Sequence, residues 1–191
     1  YKRQMRFSSE WFYQGELKSA PEVKYRSILD YDTPIEWINT EGMECNEEFV
    51  GESFGRINKE EAALSISQLT NYINKIGKDR FLEERIDVGV ISPYKAQVQY
   101  LRQLIKRDAF FKPYRHLITI NTVDGFQGQE RDVILISLVR ANEEGQIGFL
   151  NDLRRMNVAI TRARMKLIIL GDASTPVSYT HLRAHETGRN L

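Results

Sequence analysis

The sequence lacks several features that mark specialised classes of protein. Its 191 residues contain one cysteine, Cys45, which excludes an internal disulfide and fits a reducing compartment. There is no apolar run of about eighteen residues and no basic-then-apolar leader, so neither membrane insertion nor secretion is supported. A net charge of +1 gives no global basic footprint for nucleic acid. We expect an intracellular protein, cytoplasmic or nuclear, without membrane association.

The composition indicates a single α/β domain. Apolar residues make up 41% of the chain, which is enough to bury a substantial core, and no linker rich in Pro, Gly and Ser divides it. The periodicity predicts a helix from Asn58, with Glu61 placed as in a capping box and Gly77 closing the helix. The polar stretch Glu41–Ile57 is interpreted as a connecting loop. Strands are predicted at 34–39, at 88–91, at 117–121, at 133–139 and at 167–170.

Two motifs frame the predicted strand at 133–139. The first is TVDGFQGQERD at 122–132, and the second is NVAITRAR at 157–164. A strand of about seven residues spans ~23 Å and a helix of about thirteen spans ~20 Å, so a right-handed crossover returns the end of the helix to the start of the strand. We therefore expect Arg162 and Arg164 to lie close to Gly128 and Glu130.

This combination of residues suits a nucleotide. Bare glycine backbone admits a phosphate, a carboxylate accepts hydrogen bonds from ribose hydroxyls, and arginine binds phosphate oxygens through two parallel hydrogen bonds. A simpler interpretation stays open. In it, Gly125 and Gly128 only form a turn, and the arginines pair with Asp132, with Asp152 or with solvent.

Both motifs resemble motifs V and VI of superfamily 1 helicases, in the Upf-type and senataxin-like subgroup that usually moves 5′ to 3′. A third segment, VGVISPYKAQ at 88–97, resembles motif IV. The resemblance implies an α/β fold: a RecA-like three-layer domain with a mainly parallel sheet flanked by helices, of the P-loop NTPase type. It covers residues 1–176, and the polar tail 177–191 is expected to be non-native or disordered.

The resemblance also assigns roles at the nucleotide. Arg162 is expected to be catalytic, reaching the γ-phosphate of ATP and stabilising the charge of the transition state. Gly128, Glu130, Gln127 and Arg164 are expected to contact the nucleotide. The implied cofactors are ATP and Mg²⁺, with the magnesium held mainly by the first motor lobe.

The implied partner is single-stranded DNA or RNA, bound together with the first RecA-like lobe of the same protein. Ser92, Tyr94 and Gln97 follow the motif IV strand and are expected to contact the nucleic acid. Thr122 and Val123 open the motif V segment and are expected to contact the same strand. No metal site is expected in this chain, because His181 and His185 lack a third ligand.

Two elements of an ATPase are absent from the 191 residues: a Gly-x-x-x-x-Gly-Lys-Ser/Thr phosphate loop and an acidic magnesium site. We therefore expect a truncated second motor lobe of an ATP-dependent helicase or translocase, inactive without its first lobe. The alternative is a degenerate, non-catalytic helicase-like scaffold or nucleic-acid-binding module, possibly fused to a nuclease.

Overall fold

A five-stranded parallel sheet forms the middle layer of the domain. The computed structural model describes residues 28–51, 55–126, 128–142 and 152–174. The sheet order is β1-β7-β6-β4-β5, and every neighbouring pair is parallel. Its strands are β1 (Ile35–Asn39), β4 (Val88–Ile91), β5 (Ile118–Asn121), β6 (Arg131–Ser137) and β7 (Ala163–Gly171). All five strands begin at one edge, here called the amino edge, and end at the opposite carboxyl edge.

Helices cover both faces of this sheet. On one face α1 (Lys59–Ile76), α2 (Lys78–Glu83) and α3 (Lys95–Arg107) pack against the inward side chains of β4, β6 and β7. On the other face α4 (Leu153–Ile160) shares a second apolar cluster with Phe126, Ile134 and Ile136. Strands covered on both faces carry continuous apolar runs, as the sequence of β6 does. The expected three-layer α/β architecture is confirmed.

The five predicted strands are present, with two corrections nearby. The stretch Glu41–Ile57 is not only a loop, because it contains an antiparallel hairpin of β2 (Glu48–Val50) and β3 (Gly55–Ile57). The polar composition of this stretch gave no strand signal. Gly55 permits the close approach of the two strands, since an added Cβ would lie 2.8 Å from the Val50 carbonyl oxygen. β6 ends at Ser137 rather than at Val139.

The start of α1 differs from a capping box. Asn58 is the N-cap, and its side chain accepts a hydrogen bond of 2.9 Å from the Glu61 backbone N–H, as predicted. The Glu61 carboxylate does not return to the Asn58 N–H, however, because that group donates to Gln97 at 3.0 Å. Gly77 ends the helix with φ of 95°.

Several expectations fall on residues that the structure does not describe. The segment 1–27, the whole of the expected tail 177–191, and Gln127 lie outside the described residues. Among the helices that are described, none is long and apolar enough to cross a membrane.

A buried lysine ties the chain before β1 to the sheet. Lys166 is 1% exposed, and its ammonium lies 2.9 Å from carboxylate oxygens of both Asp32 and Glu36. It also donates to the Thr33 carbonyl at 2.9 Å and lies over the ring of Tyr72, whose hydroxyl donates to Asp32. Because the partners satisfy the charge, the sheet can hold a cation at an otherwise apolar position.

Replacing this lysine should cost considerable stability. Lys166→Met keeps the aliphatic stem but leaves two carboxylates without their cation, so we expect the free energy of unfolding to fall by about 3 kcal/mol. Urea denaturation measures the change. Lys59→Met is the matched control, since Lys59 forms an exposed pair with Glu48 and its loss should leave the unfolding midpoint unchanged. Equal midpoints for the two variants would contradict the assignment.

Candidate functional site

The amino edge of the sheet brings the two sequence motifs together. The Arg131 N–H donates to the Arg162 carbonyl at 2.9 Å, and Arg131 pairs with Ala163 in the register of β6 and β7. Glu130 and Arg162 are therefore neighbours across adjacent strands, whose usual spacing is about 4.8 Å. This is the convergence that the crossover argument predicted. The helix covers less of the path from the end of β6 back to the amino edge than expected, because α4 has eight residues and ends at Ile160.

Apolar anchors hold both segments in place. Phe126, which is 0% exposed, precedes Gly128 by two residues, and Ile160, which is 3% exposed, precedes Arg162 by two. Both belong to the same apolar cluster under α4. Gly89 on β4 leaves the space for Phe126, since an added Cβ would lie 2.9 Å from the phenyl ring. The packing of Phe126 and Ile160 thus fixes the positions of Gly128 and Arg162, each of which lies two residues further along the chain.

The turn after Phe126 presents bare backbone to its surroundings. Gly128 has φ of 76°, a conformation that favours glycine, and no described atom lies within 4 Å of an added Cβ. The side chain of Glu130 is exposed beside it. These two residues leave room for a ligand group to approach the backbone.

The two motif VI arginines differ in their contacts. Among the described residues, the hydrogen bonds of the Arg162 guanidinium are local, from Nε to the Val158 carbonyl at 3.1 Å and from Nη2 to the Thr161 hydroxyl at 3.3 Å. Within the described ranges, no carboxylate lies within ion-pair distance of Arg162. Its charge is therefore not compensated by those residues.

Arg164, in contrast, is held by carboxylates. Its guanidinium lies 3.1 Å from Asp87 and 3.5 Å from Asp132. The backbone N–H of each aspartate also donates to the carboxylate of the other. Burial raises the pKa of Asp132, and Arg164 opposes the rise. In this structure the charge of Arg164 is therefore compensated within the domain, and its expected nucleotide contact stays a prediction. The simpler ion-pair interpretation also describes Arg155, which pairs with Asp152 at 3.4 Å.

The carboxyl edge collects the other expected residues, but only some are accessible. Ser92 is 0% exposed and Val123 is 3% exposed, so their side chains cannot contact a nucleic-acid strand in this conformation. Tyr94 and Thr122 are partly exposed at the ends of neighbouring strands. Lys95, which the motif analysis did not select, is exposed at the first position of α3.

Gln97 is the clearest correction. It is 0% exposed; its Oε1 accepts from the Asn58 N–H at 3.0 Å and its Nε2 donates to the Asn58 carbonyl at 2.9 Å. The same Nε2 donates to the Ser137 hydroxyl at 3.1 Å. Gln97 therefore joins α1, α3 and β6 instead of facing solvent. The first turn of α3, which follows the end of β4, places the Gln97 side chain inside the domain. The periodicity of apolar residues in the sequence does not indicate this orientation for a polar side chain.

Comparison with known proteins places this geometry in a family. The family model described as AAA domain (AAA_12) matches residues 2–174. An uncharacterized ATP-dependent helicase of Methanocaldococcus jannaschii is 38% identical over 183 residues, which cover 88% of this chain and 24% of that protein. The DNA polymerase alpha-associated DNA helicase A of Saccharomyces cerevisiae is 35% identical over 184 residues, covering 88% of this chain and 26% of that protein.

The chain belongs to the AAA domain family of superfamily 1 helicases of the Upf type. A Regulator of nonsense transcripts 1 homolog of Drosophila melanogaster is 36% identical over 176 residues, covering 87% of this chain and 14% of that protein. The chain thus spans about a quarter or less of the length of these curated relatives.

This helicase-family domain contains a buried polar network that the motifs did not indicate. Glu61 is 0% exposed, and its Oε1 accepts from the Ser137 hydroxyl at 2.6 Å and from the Val139 N–H at 2.9 Å. Asn58 donates to the carbonyls of Cys45 at 2.7 Å and of Val139 at 3.2 Å. The network lies beneath the carboxyl edge, where α1, α3 and the end of β6 meet.

The network holds a carboxyl group with an unusual pKa. Burial raises the pKa of Glu61 to about 7, and the carboxylate of Asp172 adds to the rise. Hydrogen bonds from Ser137 and Val139 oppose it. In the folded domain, Glu61 therefore changes charge near neutral pH.

The stability of the domain should depend on pH through this group. A raised folded pKa gives stability that is complete below the ordinary value of 4.5 and is lost as pH rises toward about 7. Glu61→Gln cannot ionise, so its stability relative to wild type should rise by about 3 kcal/mol across this window. Urea midpoints from pH 4 to 8 measure the difference. Glu60→Gln, an exposed neighbour, is the control, and parallel profiles for Glu61→Gln and wild type would refute the effect.

Proposed function

We propose that this chain is the second motor lobe of an ATP-dependent helicase or translocase that acts on single-stranded nucleic acid. The observation that carries the proposal is the amino edge. There an arginine without a carboxylate partner among the described residues, Arg162, lies beside the open backbone of Gly128 and the exposed Glu130. A cation, an open glycine and a free carboxylate on one rim match a nucleotide.

Each group has a chemical role in this proposal. Arg162 binds the γ-phosphate of ATP and stabilises the charge that develops as phosphoryl transfer to water proceeds. Glu130 accepts hydrogen bonds from the ribose, and the Gly128 backbone lies against the nucleotide. Gln127 is proposed to link the nucleotide to the nucleic-acid side.

The Mg²⁺ is proposed to be held mainly by the first lobe of the same protein. No group of three or more His, Cys, Asp or Glu side chains in the described part of the chain is arranged to hold a metal ion. Magnesium supplies a positive charge that neutralises the phosphates. The residues of this chain contribute the arginine and the backbone contacts.

The carboxyl edge is proposed to bind the nucleic acid. The N-terminus of α3 points to this edge, and its first turn contains no acidic residue. The exposed Lys95 adds a full charge to the partial positive charge of the helix end, a combination that attracts phosphate. Tyr94 and Thr122 lie beside it, and the aromatic ring of Tyr94 provides a surface on which a base can stack.

The two edges together suit a motor. The same β-strands connect the edge that binds the nucleotide with the edge that binds the nucleic acid. Closure of the two lobes around ATP therefore changes how this domain binds the nucleic acid. The relatives from Methanocaldococcus jannaschii and Saccharomyces cerevisiae, an uncharacterized ATP-dependent helicase and a DNA helicase, support this function for the whole protein.

Removing the guanidinium should abolish turnover. In the full-length protein, Arg162→Ala should lower the kcat of nucleic-acid-stimulated ATP hydrolysis by about 10³-fold or more, because the transition-state charge loses its partner. Arg162→Lys should recover little, since an ammonium lacks the planar fork. Phosphate release at saturating nucleic acid measures kcat.

The control is Arg107→Ala, which removes an exposed arginine at the end of α3 on the opposite face of the sheet. It should retain wild-type turnover. Because the Arg162 side chain has only local contacts, the variant should also keep its unfolding midpoint. Normal turnover in Arg162→Ala would remove the assigned role.

Reversing the charge at the start of α3 should weaken nucleic-acid binding. Lys95→Glu should raise the single-strand concentration for half-maximal ATPase stimulation about tenfold, and it should reduce the slope of log affinity against log salt by about 0.7. The matched control is Lys106→Glu in the last turn of the same helix, which should change neither quantity. If both variants behave alike, the carboxyl edge is not the binding surface.

A further inference from the structure

The backbone turns sharply and unfavourably where β6 ends. Val139 has φ of 73° and is 0% exposed. A β-branched residue rarely adopts this left-handed conformation, because its side chain crowds the backbone. Such a conformation persists only where the surrounding structure imposes it, and it occurs most often at functional positions.

Two side chains from the start of α1 impose the conformation. The Val139 N–H donates to Glu61 Oε1 at 2.9 Å, and the Val139 carbonyl accepts from Asn58 Nδ2 at 3.2 Å. The backbone N–H and the backbone carbonyl of Val139 are thus both bound by residues at the start of α1. Gln97 fixes Asn58 in turn through two hydrogen bonds, so that the holding residues are themselves immobilised.

Helix capping does not explain the buried carboxylate of Glu61. The cap of α1 is completed by the Asn58 side chain and the Glu61 backbone N–H, at 2.9 Å. The Asn58 N–H, which a capping box would offer to Glu61, is already taken by Gln97. The carboxylate is therefore free to hold the end of β6, and its Oε1 accepts from the Ser137 hydroxyl and from the Val139 N–H.

The segment beyond Val139 is held in the same manner. The Arg140 guanidinium forms an ion pair with Glu47 at 3.0 Å, and the Ala141 N–H donates to the same carboxylate at 3.2 Å. The register of β4 and β6 pairs Ile91 with Ile136, so that Ser137 follows this pair at the same edge as Ser92, two residues before the partly exposed Tyr94. Residues 138–141 thus run along the carboxyl edge, next to the surface proposed for nucleic acid.

We propose that Glu61 is a positioning residue, which holds Val139 in the left-handed conformation and thereby sets the course of residues 138–141 along the nucleic-acid edge. This inference rests on the proposed function of that edge. Glu61 itself touches neither nucleotide nor strand. Its loss lets Val139 return to an ordinary conformation and moves the segment that follows.

The experiment separates backbone conformation from general stability. In the full-length protein, Glu61→Ala should raise the single-strand concentration for half-maximal ATPase stimulation about tenfold, whereas the KM for ATP stays within about twofold, because the nucleotide residues lie on the opposite edge. Glu61→Gln keeps an oxygen that accepts from the Val139 N–H and should stay near wild type. Oligo-dT and oligo-U serve as the nucleic-acid probes.

The decisive comparison uses position 139. Glycine adopts a positive φ without strain and alanine does not. Glu61→Ala/Val139→Gly should therefore recover to within about threefold of wild type, and Glu61→Ala/Val139→Ala should not recover. Rescue by both residues or by neither would overturn the proposal, as would an unchanged half-saturation in Glu61→Ala.

Hydrogen exchange gives an independent measurement that needs no activity. The Val139 and Ala141 amides should exchange at least tenfold faster in Glu61→Ala than in Glu61→Gln, and unchanged exchange would overturn the proposal. If the wild-type protein shows no nucleic-acid-stimulated ATPase, the proposed function fails, while the exchange result still decides whether Glu61 holds the turn.

Discussion

The parallel pairing of β6 with β7 is the constraint on which the candidate nucleotide site depends. It brings the Glu130 turn next to Arg162 through one backbone hydrogen bond, although the whole segment 131–161 lies between them in the chain. The pairing is irregular near its start, where Arg131 faces Ala163 but Val133 faces Lys166. Such a bulge redirects side chains at the edge of a sheet.

The bulge has a consequence for charge. Met165 and Lys166 both pack on the α1 side of the sheet, so the alternation of β7 is interrupted between Arg164 and Leu167. Arg164 meets the carboxylates of Asp87 and Asp132, whereas Arg162, just before the strand, meets no carboxylate in the described segments. The two arginines of this motif thus differ in charge compensation by the described residues.

Much of the fold followed from periodicity. Three elements show burial directly in their sequence: the continuous apolar run of β6, the alternation of β1 and the helical spacing of α1. In each, apolar residues recur at the positions that face the core along the whole element. The hairpin of β2 and β3 escaped prediction since its strands have three residues each and all three residues of β2 are exposed. Short exposed strands leave no periodic signal.

The sequence by itself determined the class of fold, the family and the segments that meet at the site, since long motifs and apolar runs are local properties of the chain. Only the tertiary structure decided which polar side chains remain available. Gln97 turns inward to Asn58, Glu61 leaves its own helix cap for the end of β6, and Arg164 pairs with two aspartates. The physical reason is that hydrogen-bond and ion partners come from elements distant in sequence, so a buried polar group and a free one look alike until those elements pack.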